Sequence, residues 1–161
     1  MIFRRGYVAD GGGEDTALKK YKAAMSNGRG RIFEKMIEGG ARYYKDQGRA
    51  IIVKMPEPFR VLKKDRNGIA DIRFIARAQP DFIGCLNGGR TIVFEAKHTD
   101  KDRLHARALT PTQTAALEEY HNRGAVAAVC VGIGNQSFMI PWNLFRHMKE
   151  RFGRHYITAE D

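Results

Sequence analysis

The sequence has little of what defines several large classes of protein. Only two of its 161 residues are cysteines, Cys85 and Cys130, and their number and spacing fit neither a disulfide framework nor a zinc site. Both lie in apolar runs, so we expect them to be small core residues. No apolar stretch approaches the length of a membrane span, and the N-terminus lacks a secretory signal, so we expect a cytoplasmic protein with no membrane partner. A dinucleotide fingerprint, a phosphate loop and a serine-hydrolase elbow are also absent, which argues against nucleotide-driven and acyl-transfer chemistry.

Positive charge is what the sequence has in excess. It contains 28 Lys and Arg against 18 Asp and Glu, a net charge of +10. Such an excess attracts polyanions and favours nucleic acid as a partner, although many basic proteins are simply soluble. The length fits one domain with a full hydrophobic core.

Hydrophobic periodicity predicts an α/β fold in which helices flank a mixed sheet. We interpret residues 1–27 as a flexible basic arm, in which the glycines at 11–13 break the chain and residues 14–25 form at most a short helix. The rest, residues 28–161, reads as a single domain, from which we expect the basic hairpin 59–79 to project. The predicted elements are helices at 29–47 and 111–123, strands at 50–55, 82–86, 90–97, 125–134 and 137–140, and a basic terminal helix after Pro141.

The hairpin between residues 82 and 97 brings a lysine and two acids together. Because side chains alternate along a strand, Glu95 and Lys97 share one face, opposite the apolar residues that point into the core. If Asn87-Gly88-Gly89 forms a three-residue loop, Leu86 pairs with Arg90 and, counting outward, Asp81 lies opposite Glu95. Two carboxylates in that position lie about 5 Å apart at Cβ.

This arrangement suits a divalent cation. Like charges so close are destabilising unless a cation lies between them, and Mg²⁺ or Mn²⁺ needs only one or two protein carboxylates besides water and a substrate phosphate. Such a metal polarises the phosphate and activates water, while the ammonium of Lys97 can orient that water. The alternative is an ordinary solvated strand face, since a Glu-x-Lys triplet is common. The second acid, the hairpin and the basic chain together favour the metal site.

The residues of this hairpin resemble a known nuclease signature. Pro80-Asp81 followed by Glu95-Ala96-Lys97 is similar to the PD-(D/E)XK signature. More narrowly, the runs Asp81-Phe82-Ile83-Gly84 and Phe94-Glu95-Ala96-Lys97 resemble the RecU-type Holliday junction resolvases, with similarity over roughly residues 27 to 145. The resemblance implies a restriction-endonuclease-like fold, a homodimer, and Mg²⁺-dependent incision of four-way DNA junctions at two symmetric points. It also implies that Asp81, Glu95 and the Ala96 carbonyl bind the metal, while Lys97 assists the attacking water.

The resemblance extends to two further candidate site residues. Arg29-Gly30 with Phe33-Glu34 is similar to the N-terminal arginine-glycine and helix glutamate of the family, and Gln113 matches a glutamine on the helix after the Glu-Ala-Lys strand. Each has a structural alternative. An acid in the first turn of a helix stabilises the helix dipole in any case, and Thr110-x-x-Gln113 is itself a capping box.

Basic residues outside this site are candidates for contact with DNA phosphates, which contribute affinity rather than sequence readout. They are Arg29 in the first helix, Lys63, Lys64 and Arg66 at the tip of the 59–79 hairpin, and Lys101, Arg103 and Arg107 after the active strand. The segment before Asp81 looks shorter than the projecting stalk of the cellular enzymes, which suggests a compact, phage-type form. Two alternatives stay open: another PD-(D/E)XK nuclease acting on duplex DNA or its ends, and a non-catalytic basic DNA-binding module.

Overall fold

The central structure is a five-stranded mixed sheet with helices on both faces. The computed structural model describes residues 12–56, 58–67, 69–74 and 79–161. The elements in chain order are α1 Gly12–Asp46, β1 Ala50–Lys54, β2 Phe59–Lys64, β3 Ala70–Phe74, β4 Phe82–Leu86, β5 Thr91–Thr99, β6 Arg103–His105, α2 Pro111–Asn122, β7 Val126–Ile133, β8 Gln136–Pro141, α3 Trp142–Arg146, α4 Met148–Phe152 and β9 Tyr156–Thr158. The sheet has the order β1-β4-β5-β7-β8, and β5–β7 is its parallel pair. None of the helices within these ranges is long and apolar enough to cross a membrane.

Helix α1 is longer than the sequence pattern predicted. It runs for 35 residues, so the expectation of at most a short helix within residues 14–25 is wrong. The glycines at 12 and 13 lie in the first turn of the helix rather than before it, and the residues that follow are mostly strong helix formers such as Ala, Leu and Lys. The predicted stop is confirmed, because Gly48 takes a left-handed conformation with φ 64° just after the helix. Residues 1–11 of the predicted arm lie outside the described residues.

The hairpin β4–β5 has the register that the turn sequence predicted. Leu86 N–H donates to the Arg90 carbonyl at 2.8 Å, Cys85 pairs with Thr91, and the pairing continues to Phe82 and Phe94. Gly88 and Gly89 carry the positive φ angles of 90° and 86° that this loop requires. Extending the register by one residue places Asp81 opposite Glu95.

Two hydrophobic clusters cover the two faces of the sheet. On one face, Val93 and Val129 pack with Leu117 of α2 and with the aromatic residues of α3. On the other, Phe82 and Phe94 stack at 4.9 Å beneath Phe33 of α1. The expectation that only one face of β5 points into the core was therefore incomplete, because helices cover both.

Within the predicted hairpin, β2 and β3 pair as a separate two-stranded sheet, and the expectation that the hairpin projects stays a prediction. Every residue of β2 is exposed. At its tip the Asp65 carboxylate accepts hydrogen bonds from the N–H groups of Asn67 and Ile69, both at 2.9 Å. Residues 57, 68 and 75–78 lie outside the described part of the chain.

Three local features differ from the sequence predictions. The predicted elements include none between residues 97 and 111, whereas Arg103–His105 forms β6 and pairs with the C-terminal β9. The basic terminal helix is split at His147 into α3 and α4. Cys130 is buried as expected, but Cys85 of β4 is exposed, since α2 packs mainly on β5 and β7.

Candidate active site

Asp81 and Glu95 are the two buried charged residues in the described part of the chain, with 6% and 0% of their surface exposed. Asp81 lies immediately before β4, and Glu95 lies in the middle of β5 with β7 on its far side. The Asp81 carboxylate accepts a hydrogen bond from the Ala96 N–H at 3.1 Å. The Asp81 carbonyl accepts another from the Met55 N–H at 2.8 Å. These two bonds fix the first acid beside the strand that carries the second.

Gln113 of α2 joins the acid and the lysine of β5. Its Nε2 donates to Glu95 Oε2 at 2.5 Å, and its Oε1 accepts from Lys97 Nζ at 3.1 Å. The same oxygen accepts from the Thr110 N–H at 3.1 Å. Lys97 Nζ and the Thr110 N–H both donate to Gln113 Oε1. These two bonds orient the side-chain amide of Gln113 so that its nitrogen, and not its oxygen, faces Glu95.

Gln113 therefore takes part in the capping box, as the structural alternative expected. It also contacts the site, so the two roles do not exclude each other. Thr110 Oγ1 accepts from the Gln113 N–H at 3.2 Å, which completes the capping box. One side chain thus caps α2 and contacts both charged groups of β5. The cap positions the start of α2 over the strand that carries Glu95 and Lys97.

The donor groups that come together here fit a hard divalent cation. Within a strand, the N–H and C=O of one residue point to the same side, so the Ala96 carbonyl points towards Asp81, as its N–H does. Two carboxylates and a carbonyl are oxygen ligands of the kind that Mg²⁺ takes together with several waters. In the described ranges, no three His, Cys, Asp or Glu side chains form a metal-binding group. Water and substrate oxygens would therefore supply the remaining ligands.

Glu34 lies on the other side of the sheet from this cluster. Its carboxylate forms an ion pair with Lys54 Nζ at 2.6 Å, and Lys54 is the last residue of β1, opposite Phe82. The α1 face of the sheet carries this pair, whereas Glu95, Lys97 and Gln113 lie on the α2 face. The sequence analysis did not identify Lys54 as a partner of Glu34. The available signal was that Lys54 is the basic residue at the end of an otherwise apolar strand. A role for Glu34 near the metal stays a prediction.

The basic residues predicted to contact DNA fall into two groups. Arg29 and Arg103 are engaged within the chain, Arg29 with Asp100 at 2.5 Å and Arg103 with Asp102 at 2.7 Å. The hydrogen bond from Arg103 holds the pKa of the Asp102 carboxyl below its usual value. The other five residues are exposed at the surface; they are Lys63, Lys64, Arg66, Lys101 and Arg107.

The fold and the arrangement of these residues define the class of protein. An Asp before a hairpin, with a Glu-Ala-Lys strand after it in a mixed α/β sheet, is the arrangement of the PD-(D/E)XK nucleases. The chain belongs to the RecU family, because the family model Recombination protein U matches residues 28–161. The resemblance predicted from the sequence and the α/β fold class are confirmed.

Individual relatives agree with this placement. A Holliday junction resolvase RecU of Streptococcus pneumoniae (strain Taiwan19F-14) is 30% identical over 135 residues, which cover 78% of this chain and 68% of that protein. The same protein from strain Hungary19A-6 is 31% identical over 121 residues, 70% of this chain and 61% of the relative. This chain thus spans about two thirds of the length of these curated relatives.

A solved structure shares the fold. It is Hjc, a Holliday junction resolvase of the archaeal hyperthermophile Archaeoglobus fulgidus, with a TM-score of 0.52 and 14% sequence identity. The match covers 81% of this chain and 88% of that one. At this identity the similarity concerns the fold alone.

Proposed function

We propose that this protein is a metal-dependent endonuclease that resolves four-way DNA junctions by hydrolysing two symmetric phosphodiester bonds. The observation that carries the proposal is the cluster in which Asp81, Glu95 and Lys97 meet, with Gln113 joining the last two. Membership of the RecU family supports the same reaction, since the matched relatives are named as Holliday junction resolvases.

We infer that Asp81, Glu95 and the Ala96 carbonyl hold Mg²⁺, for which Mn²⁺ can substitute. The bound cation would polarise the scissile phosphate and lower the pKa of the attacking water. The burial of both acids keeps bulk water from competing for their oxygens.

Lys97 has the geometry of a group that orients the nucleophile. Its Nζ is held at 3.1 Å from Gln113 Oε1, two residues along the strand from Glu95 and on the same face. An ammonium has three donors, so this bond leaves others to orient water and to stabilise charge on the phosphate. Attack in line with the leaving group would produce a 5′-phosphate and a 3′-hydroxyl.

Charge and symmetry support a branched DNA substrate. The net charge of +10 and the exposed lysines and arginine at the tip of the β2–β3 hairpin favour contact with phosphates from more than one arm. A four-way junction has near two-fold symmetry, and a two-fold homodimer offers two matched sites for it.

The direct test uses a labelled synthetic four-way junction and, separately, its linear duplex arms, each with Mg²⁺ or with EDTA. We expect paired symmetric nicks on the junction alone and only with the metal. Cutting of both substrates would retain the nuclease and remove the junction preference. Tight binding without cutting under any divalent metal would make the protein a non-catalytic DNA-binding module.

A further inference from the structure

A cavity of about 510 Å³ opens on the α1 face of the sheet, where the parallel strands β5 and β7 end. The Gly134 N–H donates to the Thr99 carbonyl at 3.1 Å and joins the two strand ends. Open α/β sheets commonly bind ligands outside the carboxyl ends of their strands. Glu95 and Lys97 lie on the opposite face, so this cavity is separate from the proposed hydrolytic site.

Two rings form the floor of the cavity. Phe33 of α1 is 5% exposed, and its ring centroid lies 5.6 Å from that of His98. Both rings lie against the β7 backbone at Gly132. A Cβ atom added there would be 2.7 Å from His98 Cδ2 and 3.0 Å from Phe33 Cε2. The depth of the cavity therefore depends on glycine at position 132.

The wall and the rim of the cavity differ in chemistry. Ile32 and Met36 of α1 form an apolar wall, and 69% and 54% of their surface is exposed. The turn after β7 and the start of β8 supply exposed amide and hydroxyl groups, from Asn135, Gln136 and Ser137. A ligand with apolar faces and a polar edge fits both surfaces at once.

The charged residues of the cavity suit a nucleotide. Arg29 and Asp100 both line it and form an ion pair at 2.5 Å, with side chains that are 47% and 45% exposed. An ion pair so exposed contributes little to stability, so a DNA phosphate can replace Asp100 as the partner of Arg29. The released carboxylate can then accept a hydrogen bond from the amino group of a base.

The cavity lies close to the hydrolytic site along the strand. His98 directly follows Lys97, and the alternation of side chains places the two on opposite faces of β5. The strand ends at Thr99, about 7 Å beyond Lys97. A nucleotide beside the scissile phosphate can pass round this end to the other face, where Lys101 is exposed just after the strand.

We propose that the cavity holds one DNA base, extruded from the junction beside the scissile phosphate, and that this base determines which sequences are cut. Proteins that read an extruded base hold it against apolar or aromatic side chains and hydrogen-bond its polar edge. A base at the branch point has fewer stacking partners than one inside a duplex, so its extrusion costs less. A phosphate alone would leave the wall of Ile32 and Met36 without a partner. The inference rests on the proposed function for the presence of a branched substrate.

The first measurement places the fluorescent base 2-aminopurine at successive positions of a synthetic junction and adds the protein in EDTA, so that nothing is cut. Loss of stacking in the cavity should make one position several-fold brighter. Ser137→Trp fills the cavity and should abolish this increase while the junction stays bound, and Ile32→Ala should reduce it by removing part of the wall. Met139→Trp is the matched control, because Met139 lies two residues along β8 on the same face but does not line the cavity. It should behave like the wild type.

The same measurement can overturn the proposal. If no position brightens, or if Ser137→Trp gives the same increase as the wild type, no base enters the cavity. Circular dichroism should show the three variants folded, because all three side chains are exposed in the wild type.

The second measurement is cleavage with Mg²⁺ of junctions that differ only at the bright position. The wild type and Met139→Trp should prefer one base on the order of tenfold or more, whereas Ser137→Trp should cut all of them at similar rates. An unchanged preference in Ser137→Trp would refute the role in specificity and retain the nuclease. Position-specific brightening without cleavage of any junction by the wild type would refute the proposed function and retain the base-binding cavity.

Discussion

Gln113 is predicted to serve two separate purposes, and two substitutions separate them. Thr110→Ala removes the bond from the Gln113 N–H to Thr110 Oγ1 and leaves the Gln113 side chain intact. Gln113→Met preserves the volume but removes the bonds to Glu95, Lys97 and the Thr110 N–H. The first change affects the helix cap alone, and the second affects the site as well.

Thr110→Ala should mainly lower the stability of the protein, whereas Gln113→Met should mainly lower the rate of cleavage. Loss of a threonine cap costs about 1 kcal/mol, which lowers the Tm of a protein of this size by about 2–4 °C. Thr110→Ala should therefore be less stable but cut DNA at nearly the wild-type rate. Gln113→Met leaves the charged groups of Glu95 and Lys97 without the amide that positions them. Loss of one positioned group of this kind typically lowers kcat about 10²–10³-fold.

The assay is single-turnover cleavage of a labelled junction at saturating enzyme, with Tm measured on the same preparations. Gln113→Asn is a useful third variant, because it keeps the amide on a side chain too short to reach both groups. If all three variants lose activity only in proportion to their loss of stability, Gln113 is a helix cap and has no role in positioning the site.

Three further predictions concern the metal, the DNA surface and the cysteines. Mg²⁺ at a hundredfold excess over its Kd should raise the Tm by about 5–10 °C. A protein carrying Asp81→Asn and Glu95→Gln should show no such rise in Tm, and an equal rise in both proteins would place the metal elsewhere. Replacing Lys63, Lys64 and Arg66 with alanine should make the slope of log K against log salt shallower by about 0.9 for each phosphate that the hairpin neutralises, and an unchanged slope would show that the hairpin does not touch DNA. Burial raises the pKa of the Cys130 thiol to about 11, so at pH 8 iodoacetamide should label Cys85 and spare Cys130 until the protein is unfolded; equal rates of labelling would contradict that burial.

Local chemistry explains which parts of the fold were predictable. The β4–β5 register followed from Asn87-Gly88-Gly89, since turn length determines which residues face each other. The end of α1 at Gly48 and the cap of α2 at Thr110 follow from the same kind of short-range signal. These elements position Asp81, Glu95, Lys97 and Gln113, so most of the candidate site could be predicted.

The features that were missed depend on contacts between distant parts of the chain. Strand β6 forms because Arg103–His105 meets Tyr156–Thr158, about fifty residues later, and neither segment is long enough to show a strand period. The exposure of Cys85 depends on how far α2 extends across the sheet. The resemblance predicted a role for Glu34 near the metal, and that role stays a prediction. Its ion pair with Lys54 could not be predicted, because it depends on which sheet face α1 covers.

The central claim is that Asp81, Glu95 and Lys97 form a hydrolytic site rather than a structural cluster. Its most direct test is Lys97→Ala, assayed for junction binding and for Mg²⁺-dependent cleavage of the same labelled junction, with the exposed Lys149→Ala as matched control. We predict that Lys97→Ala binds the junction within a few-fold of wild type and cuts it at least about 10²-fold more slowly, while Lys149→Ala does both normally. Wild-type cleavage by Lys97→Ala, or loss of binding and cleavage together in a folded protein, would contradict the claim.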